Sequence, residues 1–479
     1  MLALFDGAIG GLPLFLLFVC LAIALGFEFV NGFHDTANAV ATVIYTKSLK
    51  PHHAVVWSGL VNLVGVLLSG GAVAFSIVHL LPMDILVNIG STAGMLMVAC
   101  LLIAALVWNL STWYFGLPAS SSHALIGSIV GVGMAASAFG GQGVAAGVNW
   151  DKLKEIALAL VVSPLIGFAF AGLLLLILKA TIKDPTLYTE PKGDAPPPFF
   201  IRLLLIGTCT GVSFSHGSND GQKGIGLVML ILIGMVPLQF AVNPKFDGTD
   251  VHETLSSIRN VREVIRMNPE PKLAPKIEEN LAKIESRIGN LNSLDTLSQP
   301  EKAELRRTVM ASDVLLNKYS KAVKLDKPYA ESLKSSRKKL MSIVDFVVGW
   351  VIYAVALALG LGTMFGWKRI VVTVGEKIGK THLTYAQGAA AELVAFATIQ
   401  GADRMGLPVS TTHVLSSGIA GTMAANRSGL QFKTIRNIAL AWVLTVPVTI
   451  ILAAALYFAA VSLVVKPEAR TFAPLVQTK

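Results

Sequence analysis

Ten long apolar stretches, at residues 12–45, 54–78, 93–113, 117–137, 156–178, 199–240, 343–366, 384–402, 407–424 and 435–465, dominate this chain of 479 residues. A run of about 20 apolar residues is what an α-helix needs to cross the hydrocarbon core of a bilayer. An all-α polytopic membrane protein of about 10–12 membrane segments is therefore expected. Composition agrees, because 53% of the residues are apolar and 14% charged, where a soluble globular protein carries roughly a quarter charged. That balance argues against an ordinary soluble enzyme, a secreted scaffold and a disordered chain. The net charge of +10 does not call for nucleic acid, since surplus Lys and Arg in a membrane protein mark cytoplasmic loop ends. Cys20, Cys100 and Cys209 lie far apart inside apolar stretches, so neither a disulfide framework nor a zinc spacing is available. The first run follows Asp6 with no Lys or Arg before it, which reads as a mature span and not a signal peptide.

Composition changes abruptly at residues 241–341, which hold 19 Lys or Arg and 14 Asp or Glu. This polar segment is expected to lie outside the bilayer as short amphipathic helices punctuated by Pro269, Pro271, Pro275 and Pro300. The chain then divides into a first membrane repeat with its linker (1–198), the start of a second repeat (199–240), the polar insertion (241–341) and the remainder of the second repeat (342–479).

Two motif pairs carry the repeat reading. Gly32-Phe33-His34-Asp35 pairs with Gly217-Ser218-Asn219-Asp220, and residues 116–123 (GLPASSSH) pair with residues 406–413 (GLPVSTTH). From Asp35 to His123 is 88 residues and from Asp220 to His413 is 193, a difference that the 101-residue insertion almost fills. Two inverted repeats with broken or re-entrant helices are the pattern of a secondary transporter with its site at the repeat interface. The competing reading is that the glycines serve only helix packing. Two different motifs recurring in the same order favour the transport site. The basic short loops, at Lys47 and Lys50, at residues 179–202 and at residues 368–380, put the amino terminus outside by the positive-inside rule.

A carboxylate near the bilayer centre costs about 2.5–3.5 kcal/mol on insertion scales, so Asp35 and Asp220 call for a cation, a proton or an aqueous cavity. Asn31, His34 and Asn38 flank the first, and His216, Asn219 and Gln222 the second. Such clusters can hold a small cation or relay protons from unwound backbone, or else form a hydrogen-bonding cluster between helices. Where the first copy has Asn38 the second has Lys223. A fixed ammonium there takes the place of a mobile cation, which disfavours sodium and favours proton coupling. The Gly-Leu-Pro motifs read as helix starts with hydroxyl caps, and the amides and dipole there suit a tetrahedral oxyanion. Ser120, Ser121 and Ser122, with Ser410, Thr411 and Thr412, are the phosphate-binding candidates. His123, His413, Glu28 and Glu392 are candidates for proton movement, or are packed and neutral. Trp108, Trp113 and Tyr114 read as an interfacial belt. The sequence names no metal ligand set and no cofactor.

At these residues the chain resembles the inorganic phosphate transporter (Pit) family. Its duplicated signature is matched by residues 32–39 as GFHDTANA and by residues 217–224 as GSNDGQKG, and the hydroxyl motifs match its second repeated element. The stretches around both signatures are similar to low-affinity, proton-coupled bacterial members that take up phosphate partly as neutral metal–phosphate complexes. The resemblance implies an inverted-repeat membrane domain in a bacterial inner membrane, with signature Asp and Asn residues serving the coupling ion and hydroxyl motifs holding phosphate. His34 in place of the first asparagine, and Gly221-Gln222-Lys223 in place of valine-alanine-asparagine, depart from the sodium-coupled pattern. Inorganic phosphate or a divalent metal–phosphate complex, protons and lipid are the implied partners, with no nucleic acid, and a homo-oligomer is allowed. A sodium-coupled phosphate or sulfate carrier is the alternative. A membrane phosphatase is disfavoured because no basic residue lies between Lys50 and Lys152, and no P-loop pattern occurs.

Overall fold

The computed structural model describes residues 11–71, 73–75, 80, 92–141, 143–191, 193, 195–236 and 239–465. Among these residues the regular structure is helical: α1 (Leu12–Tyr45), α2 (Pro51–Leu67), α3 (Thr92–Tyr114), α4 (Ser121–Phe139), α5 (Trp150–Thr181) and α6 (Phe199–Met235) precede the insertion. Helices α7 (Gly248–Met267), α8 (Ala274–Ile288), α9 (Gln299–Ala322) and α10 (Lys327–Met341) form it, and α11 (Gly349–Thr363), α12 (Lys368–Glu376), α13 (Tyr385–Arg404), α14 (Thr411–Ala425) and α15 (Phe432–Val464) follow. Each of the ten apolar stretches carries one of these helices. Six are long and apolar enough to cross a membrane, and the pair α11 and α12, bent by 63° at a short break, makes a seventh candidate. The protein is a multi-pass membrane protein.

Packing repeats when the two halves are exchanged. Helix α1 packs on α11 as α6 packs on α2, α1 on α3 as α6 on α13, α4 on α15 as α14 on α5, and α3 on α15 as α13 on α5. The motif glycines show why. A Cβ on Gly32 would strike the α11 backbone at Leu359 and Thr363, and one on Gly217 would strike the α2 backbone at Asn62. Absence of a side chain lets the helices touch backbone to backbone. These glycines therefore serve close approach within continuous helices. The unwound backbone expected at the aspartate motifs is not found: α1 runs unbroken through Asp35 and α6 through Asp220.

The interruptions fall at the hydroxyl motifs instead. Gly116 and Gly406, with φ of +66° and +68°, turn the chain out of α3 and α13 at little steric cost. The following Pro118 and Pro408 precede the caps of α4 and α14. In the insertion, Pro275 and Pro300 sit in the first turns of α8 and α9, where a missing N–H costs nothing. Ile277, Leu281, Ile284 and Ile288 form the buried stripe of α8. The insertion core is continuous with apolar residues of α1, α3 and α6. Arg306 ties its two ends to the body by donating to the carbonyls of Ala241 at 3.1 Å and Val344 at 3.3 Å.

Candidate functional site

Both hydroxyl motifs start helices in the same way. Ser120 Oγ accepts from the His123 amide and Ser410 Oγ from the His413 amide, each at 3.2 Å. Caps of this kind satisfy one of the four amide groups that a helix start leaves without an intrahelical partner. The two starts meet, since the His123 and His413 rings stack at 4.5 Å and His413 stacks on Trp442 at 4.0 Å.

The aspartates converge on the same place, so the two motif types build one site. In the first half, Asp35 Oδ1 accepts from Thr412 Oγ1 at 2.7 Å, and His34 Nδ1 lies 3.0 Å from the same oxygen. Ser121 Oγ is 2.7 Å from Asp35 Oδ2 and 2.6 Å from Asn31 Oδ1. The carboxylate of the first aspartate motif is thus held by a hydroxyl of the second hydroxyl motif. The side chain of Asn38 lies outside the described residues.

In the second half Lys223 sits in a cradle of oxygens. Its Nζ donates to Asp220 Oδ1 at 2.6 Å, to Ser122 Oγ at 2.5 Å and to the Val409 carbonyl at 2.9 Å. The cradle is crossed like the first, with a hydroxyl of the first hydroxyl motif beside the carboxylate of the second aspartate motif. Asn219 clamps the second hydroxyl loop, its Nδ2 donating to the Leu407 carbonyl at 3.2 Å and its Oδ1 accepting from the Val409 amide at 3.4 Å. Thr411 Oγ1 is buried and has no partner among the described residues.

His216, noted in the sequence only as a flanking side chain, belongs to the centre. Asn62 Nδ2 donates to Thr363 Oγ1 at 3.0 Å, so Asn62 Oδ1 accepts from His216 Nδ1 at 3.1 Å. His216 Nε2 then faces Asp220 Oδ2 at 3.4 Å, and neither atom has a hydrogen bond among the described residues. Two basic atoms so placed can share one proton. One ligand atom each from Asp35, His216 and Asp220 lie within 4.8 Å of one another, which is also the donor set of a divalent cation. The spacing from His216 to Asp220, one helical turn, was the signal in the sequence.

The remaining candidates stand around this centre. Glu392 is buried on α13 and accepts from Thr42 of α1 and Thr208 of α6. Glu28 is buried on α1, held by Asn31 Nδ2 at 3.4 Å, with its other oxygen unpaired among the described residues. His123 and His413 lie behind the helix starts and, among described residues, His123 Nδ1 and His413 Nε2 have no partner.

Residues 31–453 match the phosphate transporter family. This chain belongs to that family. It is 42% identical to the low-affinity inorganic phosphate transporter PitB of Escherichia coli K12, over 94% of this chain and 97% of PitB. PitA of the same strain is also 42% identical, over 92% of this chain and 96% of PitA. A probable low-affinity inorganic phosphate transporter of Bacillus subtilis is 30% identical over 91% of this chain and 94% of its own. A solved structure titled as the sodium-dependent phosphate transporter shares the fold, with a TM-score of 0.55 at 20% identity over 94% of this chain and all of that one. Membership in a transporter family sets aside the phosphatase reading.

Proposed function

We propose that this chain imports inorganic phosphate across a bacterial inner membrane by proton symport, as the free anion or as a divalent metal–phosphate complex. Membership in the phosphate transporter family and the names of its relatives support phosphate as cargo. The observation that carries proton coupling is the cradle around Lys223, where a carboxylate, a hydroxyl and a backbone carbonyl hold the ammonium as they would hold a small cation. A sodium ion at that position would have to displace a covalently attached charge.

In this reading the two halves are inverted repeats, and alternating access is a gating motion between helix bundles, each drawn from both halves, around a fixed site. Phosphate binds between the two helix starts, where Thr411, Ser121 and Ser122 supply hydroxyls and the α4 and α14 dipoles favour an anion. One proton occupies the gap between His216 Nε2 and Asp220 Oδ2. A divalent cation travelling with phosphate uses the same atoms with Asp35 and replaces that proton. Glu392, bridging α1, α6 and α13, and Glu28 carry protons to the centre. The insertion lies outside the bilayer. Asn38, where the second half has Lys223, favours the second reading, in which a single sodium binds beside Asp35.

Labelled phosphate uptake by the purified protein in vesicles tests the cargo. Uptake blocked by excess unlabelled phosphate and untouched by sulfate supports it, and equal competition by sulfate contradicts it.

A further inference from the structure

A cavity of about 650 Å³ opens where α3 ends and α12 begins, away from the phosphate site. Its charged lining residues are Lys368, Arg369 and Lys377, and no acidic residue lines it. Arg369 is fixed in place: its guanidinium stacks 5.1 Å from the Trp113 ring and 4.9 Å from the Tyr114 ring, and it donates to the Tyr114 carbonyl at 2.6 Å. Lys368 and Lys377 have no ion-pair partner among the described residues. Three uncompensated cations around an aromatic wall call for an anion.

The position says which anion. Tyr114 closes a helix long and apolar enough to span, and α12 follows the 63° bend, so the cavity stands at a membrane–water boundary. Tyr114 and Phe115, which line it, are 60% and 72% exposed. A hydrated ion gains nothing from such a rim, whereas an acyl chain packs on it. The cavity is also tied to the first hydroxyl motif: Thr373 donates to the Gly116 carbonyl at 2.8 Å, and Trp113 Nε1 to the Gly366 carbonyl at 2.7 Å.

We propose that this cavity binds the phosphodiester headgroup of an anionic membrane lipid, and that the bound headgroup steadies the Gly116 turn that carries the first hydroxyl motif. Lys368 and Lys377 supply charge, Arg369 a fixed fork, and the exposed aromatics take the first methylenes of the acyl chains. The cavity beside Met405 and Leu407, in contrast, is lined by apolar and small residues with no cation.

The test uses the full-length protein in phosphatidylcholine vesicles with and without phosphatidylglycerol, and compares wild type with the Lys368→Gln/Lys377→Gln double variant. Native mass spectrometry should find phosphatidylglycerol retained by wild type. The variant should bind it about thirtyfold less tightly, at roughly fivefold per basic residue near the surface. Phosphatidylglycerol should accelerate phosphate uptake by wild type and not by the variant, and the two should be equal in phosphatidylcholine alone. Undiminished retention by the variant overturns the proposal. So does a raised KM for inorganic phosphate with unchanged lipid retention, which would make the cavity a vestibule for free phosphate. Lipid retention is read without transport, so failure of the symport reading would leave it standing.

Discussion

Lys223 and Asn38 occupy equivalent places in the two halves, and the proposed proton coupling rests on the difference between them. At 4 Å two unit charges repel by about 4 kcal/mol at an effective dielectric of 20, a penalty of roughly a thousandfold in affinity. If coupling is to protons as proposed, Lys223→Asn should therefore create sodium-stimulated uptake that wild type lacks, measured at fixed pH and potential. Asp35→Asn should abolish concentrative uptake while the protein still reaches the membrane, and accumulation at wild-type levels would refute its role. Asp220→Asn should do the same and also lower thermal stability, because it leaves a buried ammonium without its partner, a change of about 3–5 kcal/mol. Thr411→Ala removes a buried hydroxyl with no partner among the described residues; a lost hydrogen bond to a charged group is worth about 1.5–3 kcal/mol, so KM for phosphate should rise about tenfold or more. An unchanged KM in a folded variant would remove Thr411 from the site. The aspartates and hydroxyls were legible in the sequence because an unexplained carboxylate in an apolar run, and a Ser or Thr after Pro, each carry a physical demand. His216 was legible only as a neighbour, because its place depends on Asn62 and Thr363 from two other helices.

Elements were read less evenly than residues. The hydroxyl motifs announced helix starts through Pro and cap residues, and α4 and α14 begin there. The aspartate motifs suggested unwound backbone because glycine weakens a helix, yet Gly32 and Gly217 let α1 and α6 press on the backbones of α11 and α2. Sequence shows a missing Cβ and does not show the neighbour that needs the space. Alanine at Gly32 or Gly217 should accordingly destabilise the protein by about 1–3 kcal/mol through overpacking, seen as a lower melting temperature in detergent. In the insertion, burial pushes the Arg306 guanidinium down to about 10, still charged at neutral pH. Arg306→Leu should leave the Ala241 and Val344 carbonyls unpaired, at about 1–3 kcal/mol each, and make the 241–341 segment more open to protease. Equal protease resistance would mean that the insertion is held by its apolar core alone.

On the scale of the whole molecule, the duplication was legible from four motifs and one subtraction of spacings. The exchange of packing partners between halves was not, since it depends on which helices meet. Crossed cradles follow from that exchange: Thr412 reaches Asp35 and Ser122 reaches Lys223, so neither half holds a complete site. A motion that parts α14 from α1 and α4 from α6 would open both cradles together, and in the proposed transport cycle it would tie occupancy by phosphate and coupling ion to the side on which the site is exposed. The central claim is that this shared site is driven by protons. The direct measurement is accumulation of labelled phosphate in proteoliposomes under separately imposed pH and sodium gradients at clamped potential. An inward proton gradient alone should concentrate phosphate, with no change on adding inward sodium. Accumulation that follows sodium and ignores the pH gradient would contradict the account.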